Sequence, residues 1–461
     1  MNDNKISKNS IVAKFAVPIS FLILFFLAAN FTDCDLVTFW KRRNHLTDLV
    51  VDMIPPDFSY IQKILLPLFY TIQMSVTGTV LGIFFALVLS PFGAANLGFP
   101  AVIRRILRIV IQILRSFPAL ILALTATFLF GLGTFAGTFA ITLYTFAIMT
   151  KLTYEDASAA DVKAYQALRA MGVSKYVAYI HGILPEIIPG FLTNALYLLE
   201  TNVRHSSILG YVGAGGIGLL LNEKISWLEY DKVGTILLML FLTVCVIEYF
   251  SRYLAALIRK ERTIKKEQAR LLILFLAALF LICTFTLSLP DFSRTSPQTL
   301  RNMFAGFLQP DWSFFFSAEK DGLGYLLLET VCIAFIGTVI GAIVSAPLAF
   351  LNTKRFVPAP VSFLFNLVIM VIRSVPFLVY GLIFIRVSGT GAFTGVLTLA
   401  VCSIGLLTKR FTEALDALDP RPYHALLAMG VRPLPAICHS VLPQLKPVFT
   451  SIILYLSLIH I

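Results

Sequence analysis

The chain reads as long apolar runs parted by short polar stretches. Runs of about 20 mostly apolar residues, enough to cross a bilayer as a helix, fall in the first half at roughly 11–30, 66–90, 109–131, 134–150, 186–208 and 232–252. In the second half they fall at roughly 271–289, 324–350, 361–387, 391–408 and 443–461. The third run of each half is interrupted at a proline, Pro118 and Pro376, which predicts a short helix followed by a span. The pattern therefore predicts an all-α, polytopic membrane protein of about eleven transmembrane helices, six and then five.

Composition sharpens this. Of 461 residues, 58% are hydrophobic and 13% charged, against about 45–50% and about 25% in an average soluble domain. With 40 Phe and a mean hydropathy of +0.84, the apolar surface exceeds what one water-soluble core can hide, which excludes a soluble enzyme or a disordered tail. The net charge of +12 would in a soluble protein point to nucleic acid. Here the basic residues mostly flank apolar runs, so they read as membrane-edge charge, with lipid and not nucleic acid as partner. The six cysteines are scattered without CxxC or ligand spacing, so neither a disulfide framework nor a metal site is expected. Lys5, Lys8 and Lys14 precede an apolar run longer than a usual signal core, which reads as an uncleaved first span.

Basic residues in the short loops set the orientation. Arg104, Arg105 and Arg108 follow the second span, and Lys151, Lys163, Arg169 and Lys175 follow the fourth. Arg252, Arg259, Lys260, Arg262, Lys265, Lys266 and Arg270 join the halves. All fall on one side if the N-terminus is cytoplasmic; only Lys41, Arg42 and Arg43 dissent, partly offset by Asp33 and Asp35. This predicts a multi-pass membrane protein with its N-terminus in the cytoplasm.

The chain also repeats itself. Arg115-Ser116-Phe117-Pro118 returns as Arg373-Ser374-Val375-Pro376, Thr150-Lys151 as Thr408-Lys409, and Leu184-Pro185 as Leu442-Pro443, all at an offset of 258. YQALRAMGV (165–173) returns as YHALLAMGV (423–431), and Gly78-Thr79-Val80-Leu81-Gly82 as Gly337-Thr338-Val339-Ile340-Gly341, the latter offset by 259. Several anchors at one spacing predict two copies of one module: 1–258 with six spans, a basic cytoplasmic linker at 259–270, and 271–461 with five spans. An even number of spans per module makes the repeat parallel, with a pathway at the interface between copies. Residue 461 aligns with Val203, so nothing answers Arg204 to about Ile258, and the closing LSLIHI departs abruptly from LLETNV. Read back into codons it matches a sequencing-adapter end, which suggests a truncated second copy; a natural five-span half is the other reading.

The loop between the fourth and fifth spans carries the most information. Tyr154 to Met171 is Ala-rich, Gly172 sits where a helix C-cap belongs, a second short helical stretch covers 174–182, and Leu184-Pro185 opens the next span. Helix, glycine turn, helix and proline predict a bent hairpin whose small residues would seat closely in a partner's groove. An ordinary interspan loop is the bland alternative, and the near-identical second copy argues against it.

These residues resemble the coupling motif of ABC importer permeases, EAA, three residues, Gly, nine residues, then I-x-L-P. The match is Gln166-Ala167-Leu168, Gly172 and Leu184-Pro185, then His424-Ala425-Leu426, Gly430 and Leu442-Pro443. Gln166 and His424 replace the glutamate, and Gly182 and Ser440 the isoleucine, so the charge at the ATPase contact is missing. The resemblance implies that these residues, with the matched acids Glu155 and Glu413, couple to two copies of a cytoplasmic ABC ATPase. Glu200-Thr201-Asn202-Val203-Arg204, the Gly-rich 212–218 (VGAGGIG) and Glu413 to Pro420 are similar to phosphonate-type permeases of the PhnE family. Methionine-type permeases carry a Gly-rich stretch at the same place. Carriage of phosphonate or related phosphorus oxyanions is thus implied, delivered by an extracytoplasmic binding protein, with an amino-acid importer such as one for methionine as the alternative.

Charges inside spans are costly and mark functional candidates. Glu200 and Arg204 share one helix face and can pair. Arg115 and Arg373 precede the matched prolines, where they either line the pathway for an anion or snorkel to the surface. Asn202 and the glycines Gly213, Gly215 and Gly216 complete the candidate pathway, the glycines forming a re-entrant turn, a gate or a flexible outer loop. No GxxxxGK[ST] phosphate loop occurs, so no cofactor is expected here and ATP would be hydrolysed on another chain. Neither a catalytic residue nor a membrane-embedded enzyme is indicated. An ion-driven secondary transporter is the remaining rival, and it would be expected to bury acids at mid-membrane in both copies.

Overall fold

A computed structural model describes residues 19–261, 265–290, 298, 301–302, 305–306, 309, 311–317, 319–320 and 322–460. The beginning of the first expected span (11–18), Lys5, Lys8, Lys14, Arg262 and Ile461 lie outside the described residues. Those that are described form helices joined by turns. Seven helices are long and apolar enough to cross a membrane, and three bent pairs that qualify together bring this to ten. The eleven expected from the sequence include the first span, of which Ile19–Phe31 is described.

Residues 52–308 form one compact unit. Its helices are α4 (Ile61–Gly93), α5 (Ala101–Ser116), α6 (Ala119–Phe130), α7 (Thr134–Ala159), α8 (Lys163–Ala170), α9 (Lys175–Gly182), α10 (Leu184–Leu209), α11 (Ile217–Ser226), α12 (Tyr230–Ile258) and α13 (Lys266–Phe285). The other unit joins Met1–Val51 to Gln309–Ile461. It holds α1 (Ile19–Phe31), α2 (Leu36–Lys41), α3 (Arg43–Asp52), α14 (Trp312–Phe316), α15 (Leu323–Asn352), α16 (Ala359–Ser374), α17 (Phe377–Ser388), α18 (Ala392–Ala417), α19 (Arg421–Ala428), α20 (Pro433–Ala436) and α21 (Leu442–His460). Helices α5 to α8 recur as α16 to α19, each starting 258 residues later.

The repeated glycines pack the long helices. A Cβ on Gly78 of α4 would come within 2.8 Å of Ile141 on α7, and one on Gly82 within 2.7 Å of Thr145. In the other unit a Cβ on Gly337 of α15 would meet Leu399 at 2.8 Å, and one on Gly341 would collide with Ser403, both on α18. In a membrane, helices associate through such close backbone approach because lipid supplies no hydrophobic drive. That is the physical content of the repeated GTVxG.

The third expected span of each half is not one rod. Helices α5 and α6 meet at 94°, and α16 and α17 at 86°. Pro118 and Pro376 are N-caps of the second helix in each pair, where a missing N–H costs nothing. α12 ends at Ile258 and α13 starts at Lys266, so the segment between them is shorter than the expected 259–270.

The first helix of each sequence half lies with the other half's core. In the 52–308 unit, Gln73 of α4 is buried and its Nε2 donates to the Cys283 carbonyl (3.1 Å) and Thr286 Oγ1 (2.8 Å) at the end of α13. In the other unit, Ala28 of α1 is buried with Ile336, Phe393 and Val396, and Phe21 stands edge-on to Phe335 at 5.4 Å. Elsewhere α13 bares Leu271, Ile273, Leu274 and Phe275, as a lipid-facing helix does.

Candidate functional site

Four structures carry most of the candidate residues: two hairpins, a polar cluster on α10, and the glycine turn that follows it. The first hairpin is α8–α9. Its turn is a Schellman closure: the Val173 N–H donates to the Leu168 carbonyl (3.1 Å) and the Gly172 N–H to the Arg169 carbonyl (3.0 Å). Gly172 sits at φ +83°, a region open to glycine at little cost. Ser174 then caps α9, accepting from the Val177 N–H at 3.4 Å. The second hairpin repeats this closure, Val431 to Leu426 at 3.1 Å and Gly430 to Leu427 at 2.9 Å, with Gly430 at φ +81°. The recurring Leu-x-Ala-Met-Gly-Val is the sequence of a helix stop.

What the hairpins present also recurs. Gln166, Ala167, Ala170 and Met171 are exposed on the first, and His424, Ala425, Ala428 and Met429 on the second. The two methionines are each 78% exposed. Their outward aim makes them the anchor-like members of the face, and sequence reading passed over them although they stand inside the repeated motif. Leu168 and Leu426 turn inward, partly buried.

The hairpins are fixed differently. Tyr165 is buried and its hydroxyl donates to the Leu97 carbonyl at 2.6 Å; burial pushes its pKa up. The Lys175 ammonium bonds the Gly98 carbonyl. A Cβ at Gly182 would lie 2.9 Å from the Tyr165 backbone, which explains why glycine stands where the motif has isoleucine. Chain direction then changes by 69° into α10, with Pro185 in the first turn. In the second hairpin α20 passes through a π-turn (Ile437–Val441) into α21 without such a bend. Ser440 is buried and donates to the Ala436 carbonyl at 2.6 Å.

Glu155 and Glu413 stand one turn before the ends of α7 and α18, outside the hairpins. Each pairs on its own helix, Glu155 with Lys151 at 3.5 Å and Glu413 with Arg410 at 3.2 Å.

On α10, Glu200 and Arg204 form a largely buried ion pair. Asn202 is fully buried, its Nδ2 donating to Thr79 Oγ1 and Thr145 Oγ1, both at 2.8 Å. The Ser75 and Ser206 hydroxyls are in contact beside it, and Ser206 donates to the Asn202 carbonyl at 2.6 Å. Asn202 thus knits α4, α7 and α10 together, while Glu200 and Arg204, two residues to either side, pair on the opposite face of the helix.

The glycine segment is a packed turn. Gly213, Gly215 and Gly216 have φ of +84°, +80° and +77°, and a Cβ on Gly218 would collide with the Ser207 carbonyl. Thr71 Oγ1 on α4 accepts the Ile217 N–H at 2.8 Å and so caps α11. The turn is packed into the unit, with Gly216 and Gly218 buried, which disagrees with a flexible loop. Beyond it, sequence reading missed Lys224, whose ammonium is buried between Glu223 (3.0 Å) and Glu229 (2.9 Å), over the Trp227 ring at 4.3 Å.

Arg115 is exposed at the end of α5, whereas Arg373 is half-buried with its Cγ against Gly405 of α18. Matching sequence positions thus have different surroundings.

A family model described as "Binding-protein-dependent transport system inner membrane component" matches residues 78–263 and 337–459. The phosphate-import permease protein PhnE of Mycolicibacterium smegmatis is 26% identical over 422 residues, 90% of this chain and 78% of that protein. The phosphite transport system permease protein PtxC of Stutzerimonas stutzeri is 31% identical over 217 residues, 47% of this chain and 79% of that protein. Among solved structures, a chain of the inward-facing methionine ABC transporter MetNI matches with TM-score 0.40 and 20% identity, over 44% of this chain and 99% of that one.

Proposed function

The chain belongs to the family of binding-protein-dependent transport system inner membrane components, as an ABC importer permease of the PhnE type, and from that membership we propose that it imports phosphonate or a related phosphorus oxyanion. The matched exposure of the two hairpins carries the coupling half of this reading. Two closely matched small-residue faces, each tipped by a methionine and differing at Gln166 and His424, suit two copies of one cytoplasmic ATPase. Gln166 and His424 take the place of a charged contact, so recognition rests on shape and on Met171 and Met429, whose flexible thioethers fill irregular grooves. Closure of the ATPase pair moves the hairpins, and each hairpin transmits that motion to the helix it is fused to, α10 or α21. Glu155 and Glu413 stiffen the helices that lead into the hairpins.

The substrate half is supported by relatives named for phosphate and phosphite. Arg204, charge-balanced by Glu200, and the half-buried Arg373 are the groups suited to an oxyanion, the exposed Arg115 fits the snorkelling alternative better, and Asn202 with Gly213, Gly215 and Gly216 sets the position of α10 and its turn. An extracytoplasmic binding protein would deliver the anion to the end opposite the hairpins, with the N-terminus cytoplasmic. Relatives of this kind are transport proteins, and the work done by this chain is conformational, with ATP held by its partner.

The test is uptake into proteoliposomes containing this chain, its ATPase and its binding protein, with labelled methylphosphonate, phosphite, phosphate and methionine. ATP-dependent accumulation of a phosphorus anion is expected. Accumulation of methionine alone overturns the substrate, and uptake driven by a proton or sodium gradient without ATP overturns the mechanism.

A further inference from the structure

Helix α5 has three faces. At about 3.6 residues per turn, Arg104, Leu107, Arg108, Ile111 and Leu114 form a stripe that is partly or fully buried against its own unit. A second stripe, Val102, Ile106, Ile109, Val110 and Ile113, is apolar and between 44% and 68% exposed. A third, Arg105, Gln112 and Ser116, is polar and exposed, and Arg115 at the helix end is exposed at its edge, beside the buried stripe. One face packs on protein, one suits hydrocarbon, and one suits water and charge.

The position of α5 agrees with this division. It meets α6 at 94°, a bend that leaves α5 free to lie at a steep angle to it. Its first half is tied to the loop that also holds the first hairpin: Arg108 Nε donates to the Gly93 carbonyl (3.0 Å) and Arg104 to the Ala95 carbonyl (3.4 Å), while Tyr165 and Lys175 of the hairpin bond Leu97 and Gly98. So α5 lies at the hairpin end of the unit. The equivalent α16 lacks the polar stripe: Arg105 is answered by Phe363 and Gln112 by Met370, leaving Arg373.

We propose that α5 lies in the headgroup layer of the leaflet on the hairpin side and binds the phosphates of anionic lipids through Arg105 and Arg115. An interfacial helix with an apolar face in the acyl boundary and basic residues above it is the arrangement that anionic leaflets attract. The guanidinium fork fits a phosphate diester better than an ammonium would. Because only one of the two repeats carries the stripe, the lipid grips the permease on one side. The consequence is a fixed height for the first hairpin relative to the membrane surface, through the 93–98 loop, that the second hairpin does not share.

The experiment is native mass spectrometry of the full chain in detergent, titrated with phosphatidylglycerol and, separately, phosphatidylcholine. Phosphatidylglycerol should be retained preferentially, and an Arg105→Gln, Arg115→Gln double variant should lose that preference by about fivefold for each arginine removed. The Arg105→Lys, Arg115→Lys variant should keep most of it, and Arg373→Gln should leave it unchanged. A photoreactive residue at Ile109 should crosslink to lipid in vesicles. Undiminished preference in the double glutamine variant overturns the proposal, as does an equal loss in Arg373→Gln. If millimolar inorganic phosphate displaces the lipid, the arginines are a site for the free anion, and the lipid assignment is wrong.

Discussion

Glycine at two positions illustrates how one residue type does two different jobs. Gly172 and Gly430 have open space around them but φ above +80°, so a side chain there costs only backbone energy, about 1–2 kcal/mol. Gly172→Val and Gly430→Val should each lower thermal stability and uncouple ATPase activity from transport, whereas Gly172→Asn should be milder because asparagine tolerates the left-handed region; equal effects of Val and Asn would mean that space, not φ, is limiting. Gly218 is the reverse case, with no room for a Cβ. The Glu200–Arg204 pair obeys another rule. Removing one member of a buried ion pair strands the other charge, typically at about 3–5 kcal/mol, while removing both can be close to neutral. Glu200→Gln and Arg204→Met should therefore each destabilise more than the double variant does, as read by thermal unfolding in detergent. If the double variant is the least stable, the pair is not the unit that matters.

At the scale of elements, the sequence announced the hairpins because helix stops are written in local residues: Leu, Ala, Gly and Val at fixed spacing suffice for the Schellman turn. It could not announce the 69° bend after one hairpin and the π-turn after the other, since both contain Leu-Pro and differ through what packs beneath them. Nor did it announce Lys224, whose partners Glu223 and Glu229 are near in sequence but whose burial depends on Tyr60 and Trp227. Glu229 is held below its usual 4.5, first by Lys232 and then by Lys224, so its contribution is present above pH 4.5 and is lost as pH falls through the lowered value. Lys224 is held above its usual 10.5, mainly by Glu229, so its contribution is present below pH 10.5 and is lost only as pH rises past the raised value. Trp227 fluorescence in a Trp40→Phe, Trp312→Phe background should thus stay flat through neutrality and change below pH 4.5, and Glu229→Gln should abolish the acid step. A titration centred near neutrality would contradict this assignment. Gln73→Leu tests the grip on α13: it removes two hydrogen bonds inside the bundle, each worth about 0.5–1.5 kcal/mol, and should lower the melting temperature without altering the hairpins, seen as unchanged ATPase binding.

For the whole molecule, the all-helical membrane character and the family were legible because each depends on patterns twenty residues long or shorter. The sorting of helices into compact units was not, since it depends on contacts between segments hundreds of residues apart. Gln73 to Cys283 and Phe21 to Phe335 are such contacts, and nothing in the local pattern of α1 or α13 says which core each will join. Their exchange has a consequence for a cut chain. If it is expressed as two fragments divided between Glu261 and Lys265, each fragment carries a first helix that packs in the unit formed mainly by the other. The fragments should therefore copurify through a tag on either one. Deleting residues 1–51 from the first fragment, or replacing Gln73 by leucine, should each weaken the association, and both together should weaken it most, because the two exchanged helices grip independently. Fragments that purify apart, or that stay together with both contacts removed, would show that the exchanged helices are not what joins the halves.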